Sequence, residues 1–65
     1  MGMEWHKPDD LPPSYLLVWI AIRTPRGIVV MMGDWRHEWF CRNIGTMQAQ
    51  DVLGWCEVLA PEWPG

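Results

Sequence analysis

The residues of this 65-residue chain whose types could support nucleophilic or acid–base chemistry are few and far apart. Ser14 is the only serine, and it follows two prolines in a segment typical of an exposed turn. Asp9 and Asp10 are adjacent acids, but acids in a turn usually face solvent. Motifs for a nucleophile elbow, a phosphate-binding loop or a zinc-protease helix are absent from the sequence. We therefore expect a protein that is not an enzyme, because catalysis needs such groups close together beside a pocket.

The cysteines and histidines lack the spacing of a metal site. A zinc centre would have to combine His37 and Cys41 with the distant His6 and Cys56, without the closely spaced ligand pairs of structural zinc sites. We therefore expect no metal and no cofactor. Both cysteines fall in apolar segments, which favours reduced, buried side chains of a cytoplasmic protein. They could also face each other across neighbouring strands and form a disulfide on air oxidation.

The charge balance narrows the classes of partner. Eight acidic residues against five basic ones give a net charge of −3. Lys7 is the only lysine and the four arginines are scattered, whereas nucleic-acid binders cluster such residues. We expect no direct nucleic-acid binding, and no membrane span, because no apolar segment approaches the ~20 residues that a span requires. A partner protein with a basic surface is compatible with this charge.

The elements that must position these residues are strands. The alternation of apolar residues and turn signals predicts an all-β fold, a single small domain over residues 1–65. It is an antiparallel meander of four to five strands, with one short helical turn near residues 46–51. The predicted strands span residues 2–7, 15–22, 28–32, 38–41 and 52–58. The predicted core includes Leu16, Val18, Ile20, Val30, Phe40 and Trp55.

Proline and glycine mark the turns between these strands. The segment 24–27 has Pro25 at the second position and Gly27 at the fourth, which favours a type I turn and a hairpin. Gly33 and Asp34 are expected to end the second strand of that hairpin.

Six tryptophans in 65 residues can serve either a core or a binding surface. Trp19, Trp39 and Trp55 lie within predicted strands, which favours the core. Trp35 and Trp63 lie beside a turn and in a proline-rich tail, so they could equally be exposed anchors for a partner.

The meander segregates charge along the strand direction. Arg23, Arg26 and Arg42 fall at one end of the predicted sheet, and most carboxylates fall at the other. Ordinary solvated charge explains this pattern, and so does an acidic end that docks on a basic groove. On the second interpretation, the partner-binding residues are Asp9, Asp10, Asp34, Trp35, Glu38, Glu57, Glu62 and Trp63.

Short motifs rich in tryptophan, proline and glycine recur along nearly the whole chain. In order they are Trp5, Leu11-Pro12, Gly27, Gly33-x-Trp35, Val52-x2-Trp55 and Leu59-x-Pro61-x2-Pro64. In this order the chain resembles the small phage and prophage proteins of the domain of unknown function 551 family. It departs from the family pattern in the segment 56–61 and lacks a longer polar insertion between strands. The resemblance implies a phage-associated β domain and assigns no catalytic residue.

These observations favour a non-enzymatic, phage-associated protein-binding module, an inhibitor of a host protein in the host cytoplasm. An anti-CRISPR factor that blocks a nucleic-acid-binding channel with its acidic end is the sharpest form of this hypothesis. The alternative is a structural or accessory phage protein that self-assembles through exposed tryptophans and sheet edges. We expect a monomer or a weak dimer.

Overall fold

Two long strands pair antiparallel at the centre of the sheet, β1 (Val18–Thr24) and β2 (Gly27–Trp35), in a computed structural model that describes residues 5–58. Three shorter strands complete it: β3 (Trp39–Cys41), β4 (Gly45–Met47) and β5 (Val52–Glu57). A 3₁₀ turn, Ala49–Asp51, precedes β5. The spatial order is β4-β3-β2-β1-β5, so the first four strands form a meander and β5 lies on the other side of β1. The prediction of a small all-β antiparallel fold of four to five strands with one short helical turn is confirmed.

The predicted hairpin joins β1 to β2. Thr24 pairs with Gly27, and the Thr24 hydroxyl donates to the Gly27 carbonyl oxygen at 2.7 Å while it accepts from the Arg26 N–H at 3.2 Å. Gly27 has a φ of +121°, which residues with a Cβ rarely adopt. The chain therefore reverses here because glycine permits this backbone conformation.

One face of β1 supplies the centre of the core. Val18, Ile20 and Ile22 alternate along the strand and are fully buried. Trp55, opposite Ile20 on β5, lies on the same face, as the pairing of antiparallel strands requires. The other buried hydrophobic side chains of this cluster are Trp39, Cys41 and Val52. Val18, Ile20 and Trp55 were correctly predicted as core.

Three other predicted core residues are not buried, and the first, Leu16, lies before β1. Tyr15 has a φ of +65°, and the Leu16 N–H donates to the Pro13 carbonyl oxygen, so the chain is still turning at these residues. The buried alternation therefore begins at Val18, and Leu16 is exposed. The prediction of a strand over residues 15–22 was wrong at its start.

The other two are Val30 and Phe40, which lie on the face opposite the core. Val30 pairs with Ala21, one residue out of phase with the buried Ile20, and is 48% exposed. Phe40 lies between Trp39 and Cys41, which both face the core, so its ring is only half-buried.

The prediction that Gly33 and Asp34 end the second strand was wrong. β2 continues to Trp35. Gly33 pairs with Val18 on one side and with Cys41 on the other. A Cβ at this position would overlap the Phe40 carbonyl oxygen. Glycine therefore permits a close approach of two strands here rather than a turn.

None of the predicted strands includes β4. Part of the predicted strand over residues 2–7 lies outside the described residues. Its described part forms an isolated antiparallel bridge between His6 and Trp55.

The two cysteines do not face each other. Cys41 is on β3 and Cys56 is on β5, with β2 and β1 between them. Cys41 pairs with Gly33 in the row of Val18, whereas Cys56 pairs with Trp19, so they point to opposite faces. The suggestion that they form a cross-strand pair was wrong.

Candidate protein-binding surface

The register of the sheet gathers carboxylates at one end. Val18 pairs with Glu57 on β5 and with Gly33 on β2, so Glu57 and Asp34 lie at the same end of the sheet. Glu38 precedes β3 at that end, where Trp35 pairs with Trp39. The hairpin turn with Arg23 and Arg26 lies at the opposite end. We call the end of the sheet that carries the carboxylates the acidic end, and we define it by Asp9, Asp10, Asp34, Glu38 and Glu57.

His6 brings Asp10 to this end. Its Nε2 lies 2.9 Å and 3.1 Å from the two carboxylate oxygens of Glu57, and its Nδ1 lies 3.6 Å from Asp10 Oδ2. A carboxylate only accepts, so Nε2 carries the proton in this arrangement. The imidazole stacks on the Trp55 indole with 4.2 Å between centroids, and Trp55 Nε1 donates to the Asp10 carbonyl oxygen at 2.6 Å. These contacts hold the segment 6–10 against β5.

Within this group, Asp9, Asp10 and Glu57 remain exposed to solvent. The backbone N–H of Glu57 lowers the pKa of its own carboxyl group, partial burial opposes the shift, and the hydrogen bond from His6 adds to it. Glu57 is therefore ionised at neutral pH and offers a negative charge next to the carboxylate of Asp10.

Asp34, unlike Glu57, does not offer its charge to a partner. Its carboxylate accepts two hydrogen bonds from the Arg36 guanidinium, each 2.8 Å long, and its side chain is largely buried. These hydrogen bonds lower the pKa of Asp34 against the opposing effect of burial. The same guanidinium lies 4.2 Å from the centroid of Phe40 and 5.3 Å from that of Tyr15. Asp34 thus stabilises the end of β2 instead of presenting a free charge.

Trp35 and Glu38 each make contacts within the chain, so only part of each side chain is available to a partner. Trp35 is half-buried, its ring packs edge-on against the buried Trp39 at 5.2 Å, and its carbonyl oxygen accepts from the Tyr15 N–H. Glu38 is exposed, and one of its carboxylate oxygens accepts from the Thr46 hydroxyl at 3.0 Å.

Two further predicted partner-binding residues, Glu62 and Trp63, lie outside the described residues.

The sequence predicted that Arg42 lies at the same end of the sheet as Arg23 and Arg26. The structure places it elsewhere. Its N–H donates to the Met32 carbonyl oxygen, so it lies beside the middle of β2. It is close enough to the acidic end to contribute to the lowered pKa of Asp34. The basic end of the sheet consists of Arg23 and Arg26 alone among the five basic residues of the described chain.

Both cysteine side chains are buried. Burial raises the pKa of both Cys41 and Cys56, with smaller contributions from Asp34 and Glu57. Both thiols are therefore protonated at neutral pH, whereas the thiolate is the form that attacks electrophiles and binds metals. Within residues 5–58, no group of three or more His, Cys, Asp or Glu side chains is placed to hold a metal ion.

The lowered pKa values predict a loss of stability in acid. The two ionised carboxyl groups contribute to stability fully above their unfolded-state pKa values, 3.8 for Asp34 and 4.5 for Glu57. This contribution disappears as pH falls through their lower folded-state pKa values. Urea midpoints measured between neutral pH and pH 3 should therefore fall below about pH 4.5. Asp34→Asn should flatten this decline, because it removes the carboxylate that must be protonated. Equal declines in the wild type and in a variant with both Asp34→Asn and Glu57→Gln would contradict this assignment.

The described part of the chain has no helix long and apolar enough to cross a membrane. Comparisons of the chain with protein-family models, with curated proteins and with solved structures find no match.

Proposed function

We propose that this protein is a non-enzymatic binding module that docks its acidic end onto a basic surface of a partner protein. The observation that carries the proposal is the pairing of Val18 with Glu57, which places the exposed Glu57 at the end of the sheet opposite the hairpin turn of Arg23 and Arg26. Residues 6–10 fold over β5 and add Asp9 and Asp10 there.

The exposed members of this group determine how docking works. Asp9, Asp10, Glu38 and Glu57 face solvent, whereas the charge of Asp34 is neutralised by Arg36. Exposed charges act at long range and chiefly speed the encounter with a partner of opposite sign. The half-buried Trp35, at the same end, supplies an apolar contact that would slow dissociation.

The partner that best fits such a surface is a protein that itself binds nucleic acid, because its channel is lined with basic side chains that normally contact phosphates. The resemblance to phage and prophage proteins supports a host protein as the target, met in the host cytoplasm. In its sharpest form, the protein is an anti-CRISPR factor that occupies such a channel in place of the nucleic acid.

A competition experiment tests this proposal. Labelled nucleic acid bound to a purified CRISPR effector complex should be displaced by the wild-type protein. The double variant with Asp9→Lys and Asp10→Lys should displace it about tenfold or more less effectively, because each 1.4 kcal/mol of lost attraction is tenfold in affinity. Both residues are exposed loop residues, so the fold should be retained.

The matched control carries Arg23→Glu and Arg26→Glu, two charge reversals at the opposite end of the sheet. This variant should compete as well as the wild type or slightly better. Equal losses in the two double variants would contradict docking through the acidic end. No competition by the folded wild-type protein would contradict the choice of this effector as the target.

A further inference from the structure

The segment 6–10 covers part of the outer edge of β5. Among the strands of the described chain, β5 is the last on its side of the sheet, so one row of its backbone groups has no strand beside it. His6 takes the place of a strand there. Its N–H donates to the Trp55 carbonyl oxygen at 2.7 Å, and the Trp55 N–H donates to the His6 carbonyl oxygen at 3.1 Å. Because an uncovered edge offers such groups to another chain, the attachment of His6 decides whether this edge is open.

The His6 side chain lies between two carboxylates. Its Nε2 lies 2.9 Å from Glu57 Oε1 on β5, its Nδ1 lies 3.6 Å from Asp10 Oδ2, and the ring stacks on Trp55. Within residues 5–58, Asp10 and Glu57 are the charged groups in contact with this imidazole. We call His6, Asp10, Trp55 and Glu57 together the His6 clasp.

The two ring nitrogens of His6 respond differently to protonation. In the neutral ring, Nε2 carries the proton and donates to Glu57, so Nδ1 turns a lone pair toward the Asp10 carboxylate, which only accepts. In the imidazolium, Nδ1 carries a proton as well, and the same contact becomes an ion pair. One added proton thus turns an unfavourable contact between His6 and Asp10 into a favourable one.

We propose that the His6 clasp closes the edge of β5 in a pH-dependent way, firmly when His6 is protonated and loosely when it is neutral. Histidine is the side chain whose charge changes between about pH 5 and pH 8. The clasp therefore contributes stability at the lower end of this range and loses it as pH rises. This sign is opposite to that of the acid effect of Asp34 and Glu57, whose stabilisation is lost as pH falls below about 4.5.

Exposure to solvent limits the size of the effect. The side chains of Asp10 and Glu57 are 73% and 51% exposed, so water and salt weaken their attraction for the imidazolium. Exposed ion pairs shift an equilibrium by about two- to fivefold, and we expect a change of this size in the opening of the clasp. The inference goes beyond the proposed function and does not depend on it, because it concerns the chain without a partner.

Hydrogen exchange of the His6 and Trp55 backbone N–H groups, measured by NMR at about pH 5.5 and about pH 7.5, tests the proposal. After correction for the intrinsic exchange rate at each pH, both groups of the wild type should be about two- to fivefold better protected at the lower pH. Asp10→Asn should abolish this difference, because Nδ1 then faces an amide instead of a charge. The substitution keeps the Asp10 carbonyl oxygen that accepts from Trp55 Nε1, so the fold should be retained.

The matched control is Asp9→Asn, which removes the neighbouring exposed carboxylate but leaves Asp10 beside Nδ1. This variant should keep the wild-type difference in protection. Equal protection of the wild type at the two pH values would overturn the proposal, and so would nitrogen chemical shifts that place the proton of the neutral His6 ring on Nδ1. A pH difference that survives Asp10→Asn, or that Asp9→Asn also abolishes, would overturn the assignment to the contact of Nδ1 with Asp10.

Discussion

Trp55→Ala is expected to abolish the folded state at room temperature. Trp55 is almost fully buried opposite Ile20, and truncation of a buried tryptophan costs about 3–5 kcal/mol. A core of this size in a short chain rarely provides more than about 3–5 kcal/mol of net stability. The loss also removes the ring on which His6 stacks and the donor to the Asp10 carbonyl oxygen, so the segment 6–10 loses its support.

Urea unfolding followed by circular dichroism measures this effect, and a milder variant keeps it quantifiable. Trp55→Phe retains an aromatic ring in the core but cannot donate to Asp10, so it should remain folded with a lower midpoint. Trp5→Ala is the control, because Trp5 is nearly half exposed and outside the core cluster. Cooperative unfolding of Trp55→Ala at the wild-type midpoint would contradict the place of this side chain in the core.

Gly33→Ala is expected to have the next largest effect on stability. The added Cβ would overlap the Phe40 carbonyl oxygen, lie 2.7 Å from Ile20 Cδ1 and lie 3.1 Å from Cys41 Cα. Overpacking of this kind costs about 1–3 kcal/mol, and here two of the obstructing atoms belong to the backbone of β3. The free energy of unfolding should fall by this amount.

A second substitution separates the two sources of overlap. Ile20→Val removes Cδ1, so the double variant with Gly33→Ala is relieved of the side-chain contact but keeps the backbone contact with Phe40. The double variant should therefore be no more stable than Gly33→Ala alone. Recovery of wild-type stability would show that the approach of β3 to β2 does not set the requirement for glycine.

The central part of the fold was predictable from local patterns. The Pro25 and Gly27 positions mark the hairpin, and the continuous apolar segment 15–22 indicates a central strand, of which Val18, Ile20 and Ile22 prove to be buried. These features depend on residues that are close in sequence, and the structure confirms both.

The errors have two local causes. Tyr15 adopts a positive φ, which is not predictable from its residue type. The turn therefore extends to Leu16, and the strand begins later than predicted. Gly33 was interpreted as the end of a strand, although glycine within a strand also marks a close approach of another strand. Only the position of β3 distinguishes the two meanings.

The site was predictable in part. The common end of Asp34, Glu38 and Glu57 follows from the antiparallel arrangement, as expected. The ion pair of Asp34 with Arg36 was missed, although the spacing of two residues in an extended segment could have revealed it, because such residues point to the same side. The contact of His6 with Glu57 spans 51 residues and depends on the bridge to Trp55, which no local pattern encodes.

The dependence of the association rate on salt tests docking through the acidic end most directly. With a purified basic partner protein, stopped-flow mixing at increasing ionic strength should show a steep decline of the wild-type association rate, because salt screens exposed charges. The variant with Asp9→Lys and Asp10→Lys should associate more slowly at low salt and show a shallower decline, while dissociation changes little. Two results together would contradict the electrostatic model: an association rate that is independent of salt, and a complex that Trp35→Ala destabilises. They would assign the interface to apolar contacts.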